Sequence, residues 1–160
     1  MVGFLDDDPE RTGDQLLGLP ILVIDGIEFV FQNAPNSEAP AELTFYLPHA
    51  RAFNGAEVTS HNLHNLYTLR GAKIRDALLW SHYIDESMQL FPDAEIYLAS
   101  HHWPIWGKDR IMAFLEIQRD TYKYLHDQTL RQANKGLTML ECAEEVQLPD
   151  AIAKHWCNRP

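Results

Sequence analysis

Cysteine is nearly missing: Cys142 and Cys157 are the only two in 160 residues. Two thiols near one end cannot staple a chain of this length, and no Cys-x-x-Cys spacing offers a thiolate metal site, so both read as packing residues. Basic residues are also few, 13 against 23 acidic ones, giving a formal charge of −10. That balance disfavours nucleic acid and anionic lipid as partners, because both select for Lys and Arg. A local basic pocket within an acidic chain is not excluded by it. No apolar run approaches the ~18 residues that a membrane-spanning helix needs. The opening residues, MVGFLDDDPERTGDQ, are acidic and polar and do not form a secretory signal. The compartment stays open, since an upstream region would carry any such signal.

Apolar and aromatic residues make up 46% of the chain, enough for a real core, so disorder is not expected. Pro9, Gly13 and Gly18 punctuate residues 1–18 as a linker. Residues 20–25 and 27–32 are short β-rich runs around Gly26, which suggests a hairpin. Residues 33–41 read as a surface loop, 42–47 as a strand and 56–58 as another short strand after Gly55. The period then changes: Ile74, Leu78, Ser81, Ile84, Met88 and Phe91 fall on one helical stripe, which Pro92 and Asp93 end. A compact strand follows at 95–99. The pattern then predicts a long helix over 108–132, with Ile111, Phe114, Leu115, Tyr122 and Leu125 on one face and Gly136 as its stop. Short helices are expected near 138–146 and 149–157. Strands and helices thus alternate up to about residue 106 and helix alone follows, as if half of a layered α/β domain ran into a helical one.

Five of the eight histidines, His49, His61, His64, His101 and His102, fall on predicted loops or strand ends, where ligands are commonly placed. Residues 55–71, GAEVTSHNLHNLYTLRG, combine a carboxylate, two imidazoles, an amide and a guanidinium. Residues 100–104, SHHWP, follow the apolar strand EIYLA, which would fix a histidine at its C-terminal end. From the residues alone, Glu38 and Glu42 are solvated loop acids, Arg70 is a surface ion-pair partner, and His61 and His64 support ligands rather than act as them. Trp80, Trp103, Trp106 and Tyr83 read as core or interface aromatics.

Three long blocks carry a resemblance: NSEAPAELTFYLP (36–48), GAEVTSHNLHNLYTLRGAKIRDALLWSHYI (55–84) and ASHHWPIWGKDRI (99–111). Together they resemble the zinc-dependent alkyl sulfatases of the metallo-β-lactamase superfamily, enzymes that hydrolyse alkyl sulfate detergents. The resemblance implies an α/β fold: residues 1–106 as the C-terminal half of an αββα sandwich, and residues 107–160 as the start of an α-helical dimerisation domain. It implies two zinc ions, with Glu38 on the first, Glu57 bridging both and His102 on the second; His101 competes with His102 for that place. It implies Asn65 and Arg70 as the groups that hold the sulfate of an alkyl sulfate substrate, no protein nucleophile, and a homodimer formed through the helical region. The family's upstream His-x-His-x-Asp-His motif is absent, leaving three of seven expected ligands, so the chain by itself is expected to be inactive. The chain then reads as a fragment of the enzyme. The alternatives are a decayed paralogue that keeps only a helical interaction surface, or a fragment of another hydrolase of the same fold.

Overall fold

The computed structural model describes residues 15–16 and 19–158; the linker expected over residues 1–18 lies outside them apart from Gln15–Leu16. Seven strands are hydrogen-bonded side by side in chain order: β1 (Gln15–Leu16), β2 (Leu19–Ile24), β3 (Ile27–Asn33), β4 (Leu43–Leu47), β5 (Ala52–Asn54), β6 (Ile96–Leu98) and β7 (Ile105–Trp106). The β2–β3 hairpin turns on Asp25-Gly26, with φ of 50° and 74°. Both values are left-handed, as a two-residue hairpin turn that matches strand twist requires. Among the described strands only β5 and β6 run parallel. Parallel neighbours need a crossover, and helix α1 (Ala77–Leu90) provides it. The strand expected at 56–58 is instead a turn, and the strand lies before Gly55, at β5. An added methyl on Gly55 would overlap the Thr59 and Tyr97 hydroxyls, so the chain folds back there instead of extending.

Helix α1 starts where Asp76 caps it, accepting from Leu79 N at 3.0 Å. The expected stripe is out of phase at its start. Ile74 precedes the helix and is exposed, and the buried residues are Ala77, Trp80, Ser81, Ile84 and Ser87. Helix α2 (Lys108–Ala133) buries Ile111, Leu115, Gln118, Thr121 and Tyr122. The short α3 (Met139–Glu145) carries a capping box between Thr138 and Glu141, and α4 (Asp150–Ala153) follows.

One core holds these parts together. Val30, Phe53 and Tyr97 from the sheet meet Trp80 and Ile84 of α1 and Ile111, Leu115 and Tyr122 of α2. It continues without a break across residues 106 and 107. Buried Gln32 on β3 pins the sheet to α1: it accepts from Thr44 Oγ1 at 2.9 Å and Ser87 Oγ at 2.6 Å and donates to Tyr83 O at 2.9 Å. The opposite sheet face is apolar too. Phe29, Phe31 and Phe45 cluster there, with ring centroids 5.4–6.1 Å apart, and none belongs to the core. A sheet with two apolar faces is an inner layer.

Candidate metal centre

Where β5 and β6 end, the chain turns out of the sheet twice, and each turn carries groups that bind cations. After β5, Ala56 adopts a left-handed φ of 49°. The turn is held by Gly55 N donating to Leu98 O at 2.8 Å, Ala56 N to Asn54 Oδ1 at 2.8 Å, and Ser100 N to Ala56 O at 3.0 Å. The buried Tyr97 hydroxyl donates to Thr59, and burial pushes its phenol far up. Glu57 is thereby fixed at the mouth of the sheet. After β6, His101 takes a left-handed φ of 66° and reaches Glu57 Oε1 with Nε2 at 2.8 Å.

Glu38 comes from the β3–β4 loop, whose turn is closed by Ser37 Oγ donating to Ala34 O at 2.6 Å. Its carboxylate lies 3.6 Å from His64 Nε2, and Glu57 Oε2 lies 3.8 Å from the same nitrogen. Donor atoms of Glu38, Glu57 and His64 all fall within 4.8 Å of one another. Glu42 stands close by: burial, with the charges of Glu38 and Glu57 adding to it, holds its carboxyl above the ordinary carboxylate range. Two acids flanking an imidazole, with a third beside them, are a setting that favours a cation.

Arg75 supplies one cation. Its Nη2 pairs with Glu38 Oε1 and its Nε donates to Glu38 O. Its Nη1 donates to Asn65 O at 2.9 Å and Asn65 Oδ1 at 2.6 Å. Arg70 is exposed on the irregular stretch before α1. With Lys73 and Arg75 it lines a cleft of about 390 Å³ that also takes in Asn36, Ser37 and Glu38. Arg75 being paired with Glu38, Arg70 and Lys73 are the two cationic side chains there that could meet an oxyanion.

The structure therefore brings Glu38, Glu57, Asn65 and Arg70 to one end of the sheet. His102 is not among them: its neighbour His101 is the imidazole that meets Glu57. The His102 ring meets His61 through the two Nδ1 atoms, and burial and His102 together lower the His61 pKa to about 4. Sequence reasoning passed over His64 as a donor and Arg75 altogether. Arg75 had a readable signal, since it directly precedes the cap Asp76 and the helix start fixes it in place. Trp80 is fully buried in the core, and Trp103 and Trp106 are exposed. Both cysteines are free and buried. No helix among the described residues is long and apolar enough to cross a membrane.

No family model matches the chain. A linear primary-alkylsulfatase of Pseudomonas sp. is 51% identical over 138 residues, covering 86% of this chain and 20% of its own length. The alkyl/aryl-sulfatase BDS1 of Saccharomyces cerevisiae is 46% identical over 137 residues, 85% of this chain and 21% of its own length. Among solved structures, the stereoselective inverting sec-alkylsulfatase Pisa1 from Pseudomonas sp. superposes at a TM-score of 0.84 and 38% identity, covering 86% of this chain and 22% of that one. The chain spans about a fifth of the length of the relatives it matches. Similar in both sequence and backbone over that stretch, this chain is a homologue of one segment of the alkylsulfatases.

Proposed function

We propose that the chain supplies part of a zinc site that hydrolyses sulfate monoesters of alkyl alcohols to the alcohol and inorganic sulfate. The observation that carries this reading is the convergence of Glu38, Glu57 and His64 beside a cleft lined by Arg70, Lys73 and Arg75. The donor set fits the metal: carboxylate oxygen and imidazole nitrogen are zinc ligands. Glu57 suits a shared position, because its two oxygens face different imidazoles, His64 on one side and His101 on the other. Glu38, Glu57 and His64 would hold one ion, and Glu57 with the His101–His102 turn would offer donors to a second; His102 is the ligand the resemblance implies there, and His101 is the imidazole that meets Glu57. Zinc bound there supplies Lewis-acid stabilisation of negative charge on the sulfate ester. Arg70 would offer its planar fork to the sulfate oxygens, and Asn65, whose Oδ1 accepts from Arg75, would keep its amide N–H group for the same anion.

These donors are too few for two closed four-coordinate sites, so the chain alone does not turn over substrate. Exposed Leu130, Met139 and Leu140 on α2 and α3 support a homodimer through the helical region. Residues 107–160 belong to that helical dimerisation region in this reading, although their first turns also complete the core. Cobalt or zinc titration of the chain tests the metal reading: uptake is expected, and Glu57→Gln weakens it strongly. No uptake by the parent chain refutes it. Zinc-dependent sulfate release from dodecyl sulfate by the chain alone refutes its expected inactivity. In a full-length protein carrying this segment, Arg70→Ala removes sulfate-ester hydrolysis while zinc content is kept; hydrolysis unchanged by Arg70→Ala refutes the sulfate assignment.

A further inference from the structure

Helices α1 and α2 do more than cover the sheet. Trp80 of α1 and Tyr122 of α2 stack with centroids 4.4 Å apart and planes 15° from parallel, and both are fully buried. Each directs its polar atom at the loop that carries the candidate ligands. Trp80 Nε1 donates to Val58 O at 2.6 Å, one residue beyond Glu57. The Tyr122 hydroxyl accepts from the backbone N–H of His64 at 3.2 Å. The Trp80 ring also lies 5.8 Å from the His64 imidazole. One aromatic stack therefore grips the loop at both ends of residues 57–64, the segment that must fold back for Glu57 and His64 to converge.

We propose that Trp80 and Tyr122 are positioning residues for this cluster, the stacked pair setting the separation of the Glu57 and His64 donors. The inference rests on the metal reading of the same residues. Indole N–H and phenol groups are polar atoms that a purely packing pair would not need. Here each polar atom meets loop backbone that forms no regular secondary structure, buried at Val58 and half-buried at His64. Tyr122 lies in the helical part of the chain, so that part reaches the His64 end of the loop through its hydroxyl.

The test uses the 160-residue chain and two variants that keep an aromatic ring, Tyr122→Phe and Trp80→Phe. Each removes one hydrogen bond to the loop. Groups that orient ligands without touching the metal typically cost ~10–100-fold in affinity when lost. Cobalt titration followed by its visible spectrum, with zinc competition, is expected to show at least about tenfold weaker binding in either variant and an altered cobalt spectrum. Tyr124→Phe is the control. It removes a hydroxyl from the same helix that bonds Gln147 O, away from the loop, and should leave affinity unchanged. Affinities of Tyr122→Phe and Trp80→Phe within about twofold of the parent overturn the proposal. Hydrogen exchange on the metal-free chain gives an independent reading. The His64 amide should exchange at least about tenfold faster in Tyr122→Phe, because its acceptor is gone. Unchanged exchange there also overturns the proposal. A parent chain that takes up no metal sinks the metal reading instead, and exchange alone then decides whether the aromatics hold the loop.

Discussion

Replacing Arg75 by methionine separates two roles that Glu38 plays. In the structure the Glu38 and Arg75 side chains are only 12% and 9% exposed, and they pair directly. Arg75 also donates to Glu38 O and to both oxygens of Asn65. Methionine keeps much of the buried stem and removes every one of these donors. Leaving one partner of a buried pair uncompensated costs about 3–5 kcal/mol. The small residual exposure argues for the lower end, about 3 kcal/mol. With a urea m-value of roughly 2 kcal/mol/M for a chain of this size, the unfolding midpoint should fall by about 1.5 M. Zinc should then act more strongly on the variant than on the parent, because a cation at Glu38 replaces the lost guanidinium. At a free zinc concentration one hundred times the dissociation constant, binding to the folded state restores about 2.7 kcal/mol. Urea melts of both proteins with and without zinc measure both effects. A midpoint change below about 0.3 M without zinc refutes the buried-pair reasoning. A full loss that zinc does not repair refutes Glu38 as a metal ligand and leaves the ion pair standing.

Three further outcomes follow from the same geometry. Tyr97→Phe should cost about 1–2 kcal/mol in urea melts, since it removes the buried hydroxyl that bonds Thr59; Gly55→Ala, whose methyl overlaps that hydroxyl, should cost as much or more. His61 has a folded pKa lowered to about 4 from an ordinary 6.5, so the unfolded state binds the proton first as pH drops. Its contribution is therefore intact above about pH 6.5 and is lost on acidification towards pH 4, up to roughly 3 kcal/mol in total; His61→Phe should flatten that part of a stability–pH profile, and an unchanged profile counts against it. Phe53→Ala in the core should cost about 3–5 kcal/mol, whereas Phe31→Ala on the opposite sheet face should cost about 1 kcal/mol in the isolated chain; equal losses would mean that face is packed.

Much of the fold was legible because its signals are local. Asp25-Gly26 announces the hairpin, and Pro92 with Asp93 ends α1, which closes at Leu90. The span expected for the long helix, 108–132, differs from α2 by a single residue. Misreadings arose where a tertiary contact overrides local pattern. Val58 and its neighbours have strand-like composition, but Gly55 packs against Thr59 and Tyr97 and the chain must turn. Ile74 continues the apolar period of α1, but Asp76 caps the helix after it. The site divides in the same way. Residue types flagged Glu57 and His64 as one dense segment, whereas Glu38 was marked only by the resemblance. It reaches them because β3 and β4 are neighbours in the sheet and Arg75 holds it in place. Nothing in the residue pattern distinguishes His64, with Glu38 and Glu57, from His61, which faces His102.

Residues 106 and 107 mark a change of secondary structure, but the energetics ignore it. Ile111, Leu115 and Tyr122 complete the core that Trp80 and Ile84 begin, and removing them would bare the buried face of α1. The first half of α2 therefore packs as part of the sheet's core, while its far end, with α3, carries the exposed Leu130, Met139 and Leu140. The sheet is equally two-sided. Helices complete one face, and the Phe29–Phe31–Phe45 face is built to meet another layer. The candidate ligands stand at the strand ends between those faces, so a second layer laid on the phenylalanines would bring its own strand ends to the same mouth. Glu38, Glu57 and His64 already converge at that mouth, so donors from a second layer would meet them there.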